Sequence, residues 1–399
     1  MKFKKLTIVA MLLFSAAAVQ AQDITESRFG KGLFSVTAKD SSYSANFTVR
    51  MQSLFTSEWG IPETGGWSDA ETNMLIRRAR LKFKGFAYTP KLQYKLQLGL
   101  TNRDMGGASP YTNDAPRFIL DAVVMYEFAD NWEFWVGQTK LPGNREQLIS
   151  SSELETVDRS LVNSRFNLGR ETGLQLHHSS TLGNNVVLRE ALAVSQGEGR
   201  NITSGNFGGH QFTGRFEVLP FGDFDDYSGA DFDREETPKL ALGVSYDFNN
   251  NAVMTRSNAG SFMLNDTGFF ETDITTLFVD AMFKYNGWTV LGEYANRDAD
   301  EIFAKNSDGS LTGDAVNAGQ GFNIQAGYLF PSNFEITGRY STIDLDDELT
   351  QAIENQYTLA LSKYIVKHKL KVQTDINYTD MNLNLEDGLL YRLQFEIQF

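Results

Sequence analysis

The stretch Leu389–Leu390–Tyr391–Arg392–Leu393–Gln394–Phe395–Glu396–Ile397–Gln398–Phe399 decides the fold. Its odd positions are apolar throughout: Leu389, Tyr391, Leu393, Phe395, Ile397 and Phe399. Leu390 apart, its even positions are polar: Arg392, Gln394, Glu396 and Gln398. A strand sends successive side chains to opposite faces. This stretch therefore predicts a strand with one oily face and one wet face. The pattern recurs upstream. Ala45, Phe47, Val49 and Met51 oppose Asn46, Thr48, Arg50 and Gln52, and Leu370, Val372, Ile376 and Tyr378 oppose Lys369, Lys371, Gln373 and Asp375.

Such segments number about 16, an even count as a closed single-chain barrel requires. They are placed at 43–56, 74–88, 91–102, 117–128, 132–140, 170–179, 186–196, 210–219, 239–248, 275–286, 288–297, 321–330, 334–343, 356–366, 368–379 and 388–399. Short turns such as Asp130–Asn131 and Asn286–Gly287 alternate with long polar connections near 57–73, 103–116, 141–169, 197–209, 249–274 and 298–320. Short turns at one rim and long loops at the other are the asymmetry of an outer-membrane barrel. The acidic stretch 220–238 breaks the rule, standing where a short turn is expected. It reads as a solvated connection, with calcium binding as the alternative.

Composition agrees. The chain has 30 Phe, 15 Tyr and 34 Gly, yet a polar mean hydropathy of −0.31. Aromatics spread at alternate positions suit a wall between lipid and water. Trp132, Trp288, Tyr126, Tyr285, Tyr328 and Tyr378 fall near strand ends, where interfacial girdles sit, the alternative being a sugar-stacking path. There are no cysteines, so hydrogen bonds and packing hold the wall. The formal charge of −14 argues against nucleic acid as a general partner.

Residues 1–21 read as a secretory leader. Lys2, Lys4 and Lys5 precede the apolar run Leu6 to Phe14, and Val19–Gln20–Ala21 offers the cleavage site. Residues 22–42 are a polar lead-in and 43–399 the barrel. The mature chain has no apolar run long enough for a membrane-spanning helix. Export to the outer membrane follows. The final Phe399 strand also resembles the signal read by the barrel assembly machinery.

The strand Leu75–Ile76–Arg77–Arg78–Ala79–Arg80–Leu81–Lys82–Phe83–Lys84 is the most informative for function. One parity holds Leu75, Ala79, Leu81 and Phe83. The other, expected to face inward, holds Ile76, Arg78, Arg80, Lys82 and Lys84. Same-face residues lie roughly 6.6–6.8 Å apart along a strand, so an anion could pass from one cation to the next. Arg50, Lys91 and Lys95 widen the patch. Such a ladder offsets the dehydration of a permeating anion. Arginine suits phosphate or carboxylate because its fork donates two bonds at once. The alternative is that these cations only pair with wall carboxylates, for which Asp121, Glu127, Asp280, Glu293 and Asp375 are available.

Segment 141–169 is the third long connection. It offers a capping-box pair, Ser150 with Glu153, followed by Leu154, Val157 and Leu161 at helical spacing. Arg145, Arg159, Arg165 and Arg170 punctuate it. A connection this long has a role of its own. In a wide barrel that role is to fold inward and constrict, the alternative being an outward surface loop.

These residues resemble the phosphate-selective porin O and P family. The matching pieces are Arg50–Met51–Gln52, Ile76–Arg77–Arg78–Ala79–Arg80, Leu120–Asp121–Ala122 and Val136–Gly137–Gln138–Thr139–Lys140–Leu141–Pro142. Asp158–Arg159–Ser160–Leu161–Val162, Gly169–Arg170–Glu171–Thr172–Gly173 and the terminal strand also match. The resemblance implies a 16-stranded homotrimer with an inward third loop and passive uptake of small anions such as phosphate. It carries binding roles onto Arg50, Arg78, Arg80, Lys82, Lys84, Arg159 and Arg170.

Other chemistry finds little footing. His177, His178, His210 and His368 form no zinc pattern, and no nucleophile elbow, P-loop or dinucleotide fingerprint occurs. No cofactor, metal or enzyme activity is expected. The rival readings are a non-selective or cation-preferring porin, and a plugged barrel acting as an enzyme or surface-binding protein.

Overall fold

Alternating sequence becomes alternating burial. Between 241 and 249, Ala241, Ser245, Asp247 and Asn249 are buried, while Leu242, Val244 and Tyr246 are exposed. Polar side chains face in and apolar ones face out, the reverse of a water-soluble sheet protein. The computed structural model describes residues 29–62, 66–107, 109–183, 185–203, 206–350, 352–382 and 387–399. The leader expected over 1–21 and the start of the lead-in lie outside these.

The barrel strands are β1 (Ser44–Ile61), β2 (Glu71–Ala87), β3 (Thr89–Gly99), β4 (Ile119–Ala129), β5 (Trp132–Lys140), β6 (Arg170–Leu182), β7 (Val186–Ser195) and β8 (Gln211–Leu219). They continue as β9 (Lys239–Ala252), β10 (Thr272–Tyr285), β11 (Trp288–Ala299), β12 (Gly319–Leu329), β13 (Phe334–Leu345), β14 (Ile353–Val366), β15 (Leu370–Met381) and β16 (Asp387–Gln398). Each pairs antiparallel with the next. β16 pairs back onto β1, from Arg50↔Gln398 to Ile61↔Asp387, so the sheet closes. Closure removes the free strand edges that lipid could not satisfy. The sixteen segments read from sequence all become wall strands. The lead-in adds a short strand, Phe34–Thr37, beside β1.

The short-turn rim is built from the expected residues. At β10–β11, Asn286 and Gly287 both take positive φ, 48° and 89°, as a tight two-residue hairpin turn demands. Trp288 packs against Tyr328 with ring centroids 4.9 Å apart and planes tilted by 45° on the outer face of this rim.

One parity assignment needs correction. The β1–β2 register shifts between Gln52 and Ser53, so that Gln52 faces Arg78 but Ser53 faces Ile76. Arg77 is the extra residue of a bulge, which reverses the faces of everything before it. Ile76 therefore stands on the exposed outer face with Met74. Leu75 takes the side of buried Leu54, its cross-strand partner.

The inner face is not uniformly polar. Ile274, Phe278 and Met282 of β10 and Leu291 of β11 lie on the inward parity and are buried. Segment 141–169 covers most of them. Leu141, Val162, Phe166 and Leu168 cluster with Phe278 and Ala295, while Ile149 and Leu154 cluster with Met282 and Leu291. Fully burying a side chain such as Phe166 or Leu154 contributes about 1.5–3 kcal/mol.

The helix expected from Ser150 forms later. α1 (Asn102–Met105) and α2 (Arg145–Leu148) are single turns, and α3 is Leu161–Phe166. Ser160 caps α3, its Oγ accepting from Asn163 N at 3.2 Å. Ser150 and Glu153 instead close a backbone turn at 2.8 Å. Wall side chains satisfy the backbone that follows: Lys371 Nζ donates to Leu154 O at 3.0 Å, and Val157 N donates to Asp375 at 3.1 Å. A backbone already bonded to the wall needs no helix.

The acidic segment is also corrected. Residues 220–238 are not a solvated connection, since Asp226, Ser228, Ala230 and Asp231 are buried. Asp231 accepts from Gly287 N at 2.7 Å, and Gly229 N donates to Glu153 O at 2.7 Å. The segment from the short-turn rim thus meets segment 141–169. Among the described residues no group of three or more ligating side chains could hold a metal ion.

Candidate functional site

Cross-strand register assembles the basic wall. Arg50 of β1 stands opposite Arg80 of β2, Thr48 opposite Lys82 and Asn46 opposite Lys84. Lys84 in turn faces Lys95 of β3. Like charges placed directly opposite repel unless something compensates them. The two ends of the ladder meet that requirement differently.

The end nearer the long connections is neutralised. Arg80 makes a bidentate pair with Asp104 of α1, both bonds 2.6 Å. Arg50 pairs with Glu396 of β16 at 2.5 Å. Arg78 donates to Gln52 at 2.8 Å and approaches Asp158 at 3.4 Å, while Arg77 holds the same carboxylate at 2.7 Å. Ser151 Oγ accepts from both Arg50 and Arg80, at 2.9 and 3.2 Å. Burial alone would raise the Asp158 carboxyl; Arg78, Arg77 and Arg392 outweigh it and hold the group well below the usual carboxylate range.

The other end is left with Glu153 as the only carboxylate among the described residues near enough to act on the charge of Lys82. Lys82 and Lys84 make no ion pair or side-chain hydrogen bond among the described residues. They line a cavity of about 440 Å³ with Lys95, Ser44, Asn46 and Gln93, and no carboxylate among the described residues lines it. Lys95 is partly engaged, 3.2 Å from Asp121 and 3.3 Å from Thr139.

The remaining expected site residues scatter. Lys91 sits half-exposed at the rim, 3.6 Å from Glu127. Arg170 shares Asp121 with Lys95, at 3.2 Å. Arg159 is half-buried and donates to the carbonyls of Glu146 and Ile149 at 2.8 and 2.7 Å, so it braces its own segment. Burial pulls its guanidinium down to about 10, against nearby Glu146 and Asp158. Arg165 pairs with Glu354 at 3.0 Å.

Arg145 departs furthest from its expected place. It is fully buried and bound by Glu217, Asp226 and Asp280 at 2.6, 2.6 and 2.7 Å. A guanidinium enclosed by three carboxylates has no donors to spare for a passing solute. It ties segment 141–169 to β8, to β10 and to the acidic segment.

Sequence reasoning passed over Asp104, Asp158 and Glu396, the carboxylates that cap the arginines. Asp104 and Asp158 lie in connections, where parity gives no direction. It also passed over Arg77, because a bulge leaves no mark in an alternation count. Trp135 on the inward parity was passed over as well, and His177 beside it was weighed only as a zinc ligand.

Comparisons place this geometry. An uncharacterized protein of Aquifex aeolicus (strain VF5) is 22% identical over 364 residues, 83% of this chain and 81% of that one. Among solved structures, an anion-selective porin from Comamonas acidovorans superposes with a TM-score of 0.56 at 12% identity. The match covers 90% of this chain and all of that one. Salmonella typhi OmpF, solved with daunomycin, superposes with a TM-score of 0.57 at 11% identity, covering 90% and 99%. At such identities the structures speak for the fold alone. The family model for phosphate-selective porin O and P matches residues 63–395, and the chain belongs to that family of outer-membrane β-barrel porins.

Proposed function

We propose that this porin passes small anions by diffusion, with no chemical step, along the lysine end of the ladder. One observation carries the reading: Lys82 and Lys84 face inward into a cavity that, among the described residues, no carboxylate lines. An uncompensated cation lowers the energy of an anion beside it by about 1 kcal/mol at 4 Å in water, and by more where the wall excludes water. Phosphate is the solute class that family membership favours. Segment 141–169 folds into the lumen in this reading and narrows it. Its bonds to inward side chains of β1, β10 and β15 support that role. The working unit is a homotrimer, assembled by machinery that reads the Phe399 strand after removal of the 1–21 leader.

Reversal potentials across planar bilayers under a salt gradient test the reading. The wild-type channel should prefer chloride and phosphate over potassium. Replacing Lys82 and Lys84 together with Ala should cut that preference about fivefold, the Boltzmann equivalent of about 1 kcal/mol. A cation-selective current that ignores the double substitution would refute it.

A further inference from the structure

A second inward chamber lies beside the lysine cavity, and anion passage leaves it unexplained. It has a volume of about 640 Å³ and lies against β3–β8. That is within the roughly 300–1,000 Å³ of ordinary ligand sites. Its distinguishing feature is a ring pair on the wet parity. Trp135 of β5 stacks on His177 of β6, centroids 4.1 Å apart and planes 28° from parallel. Register explains the contact: Trp135 faces Gln175 and Glu133 faces His177, so the two rings are diagonal neighbours.

The pair is held in place by its own hydrogen bonds. Trp135 Nε1 donates to Glu133 at 2.7 Å, and a ring nitrogen of His177 lies 2.9 Å from Gln175 Oε1. Gln175 Nε2 is anchored in turn on Lys140 O at 2.9 Å. A tryptophan facing a water-filled lumen leaves apolar surface in water, which is unfavourable at roughly 25 cal/mol per Å². A solute ring that covers that surface recovers the loss.

Charge narrows the solute class. Four cations and four carboxylates line the chamber. The cations are engaged: Lys95 by Asp121, Lys140 by the carbonyls of Leu148 and Ile149, Arg189 by Asp223 and Asp226, and Arg215 by Asp280. Among the carboxylates, Glu217 is held by Arg145 and Arg215, and Glu190 by His178. Among the described residues Lys140 and Glu133 bond neutral groups only, but cations and carboxylates line the chamber in equal number, so it favours neither sign. What remains is an aromatic face ringed by the carboxylate, amide and hydroxyl groups of Glu133, Asn131 and Ser179. Such groups donate to and accept from vicinal hydroxyls, and the negative face of an indole attracts the slightly positive C–H face of a pyranose.

We infer that this chamber binds a neutral carbohydrate, one or two rings long, stacked against the Trp135–His177 pair. The inference goes beyond anion passage and stands apart from it, since it uses neither Lys82 nor Lys84.

The test uses the full-length porin in planar bilayers, with maltose as the probe and potassium chloride carrying the current. Maltose should interrupt the current in a saturable way. Trp135→Ala should weaken its apparent affinity about tenfold, equivalent to about 1.4 kcal/mol. Trp135→Phe, which keeps a ring and disturbs packing least, should retain most of the affinity. Lys82→Ala should leave maltose affinity unchanged while lowering anion preference, which separates the two sites. No saturable interruption by maltose in the wild type would overturn the inference. So would full affinity in Trp135→Ala, or block by tetramethylammonium with none by maltose.

Discussion

Two cavities share one lysine and differ in everything else that a solute would feel. The lysine cavity holds Lys82, Lys84 and Lys95 with no carboxylate among the described residues on its wall. The neighbouring chamber also contains Lys95, yet its charges balance and an aromatic pair forms part of its surface. Both arise from the same inward parity of adjoining strands. The difference teaches that a cation in a barrel wall acquires its role from the carboxylates that reach it, and many of those come from connections rather than strands. Arg80 bonded to Asp104 and Lys82 without an ion pair on the next step of the ladder make the point within 3 residues of one strand.

The largest expected effect tests what holds the filled side in place. Arg145→Ala removes the cation that Glu217, Asp226 and Asp280 share and leaves Arg215 and Arg189 to face all three. Breaking a buried pair costs about 3–5 kcal/mol. Proteolysis of folded porin should then cut within 141–169 or 220–238, where the wild type resists. Resistance equal to the wild type would show that the apolar contacts of Phe166 and Leu154 suffice.

Next comes the contrast along the ladder. Removing Arg80 and Asp104 together deletes a neutral pair and should shift the reversal potential far less than removing Lys82 and Lys84. Equal shifts from both double variants would erase the distinction between paired and unpaired cations.

A smaller effect is expected from Asp158→Asn, which frees donors on Arg77 and Arg78 and should raise anion preference. The sign with pH follows from the lowered carboxyl. Its contribution is fully present above the unfolded value near about pH 4 and is lost only as pH falls through the lowered folded value. The difference between Asp158→Asn and the wild type should therefore persist at about pH 4.5. Its disappearance there would mean that Asp158 titrates as an ordinary carboxylate.

The smallest effect belongs to Lys91→Ala. Lys91 and Glu127 are a rim pair with both groups well exposed to solvent, and exposed pairs contribute about 0–1 kcal/mol. Selectivity should move within measurement noise, and less still in concentrated salt.

Much of the wall was legible in the chain. Leu242, Val244 and Tyr246 against Ser245 and Asp247 state which face meets lipid, because a strand has only two faces. The inward direction of Arg50, Arg78, Arg80, Lys82 and Lys84 was readable for the same reason. The bulge at Arg77 was not. One extra residue shifts the phase without changing composition, so Ile76 was assigned inward. Phe278 and Met282 on the wet parity of β10 did carry a signal: apolar residues on a lumen face imply that something covers them.

The sequence by itself determined an outer-membrane barrel of sixteen strands, because periodicity and closure leave few other solutions for a chain with two unlike faces. Only the tertiary structure decided which cations are free. Asp104, Asp158 and Asp226 sit in connections whose direction no period encodes, and each is brought to its arginine by packing many residues distant in the chain. Charge compensation acts over a few ångströms of space, and that proximity is a property of the folded chain rather than of residue order.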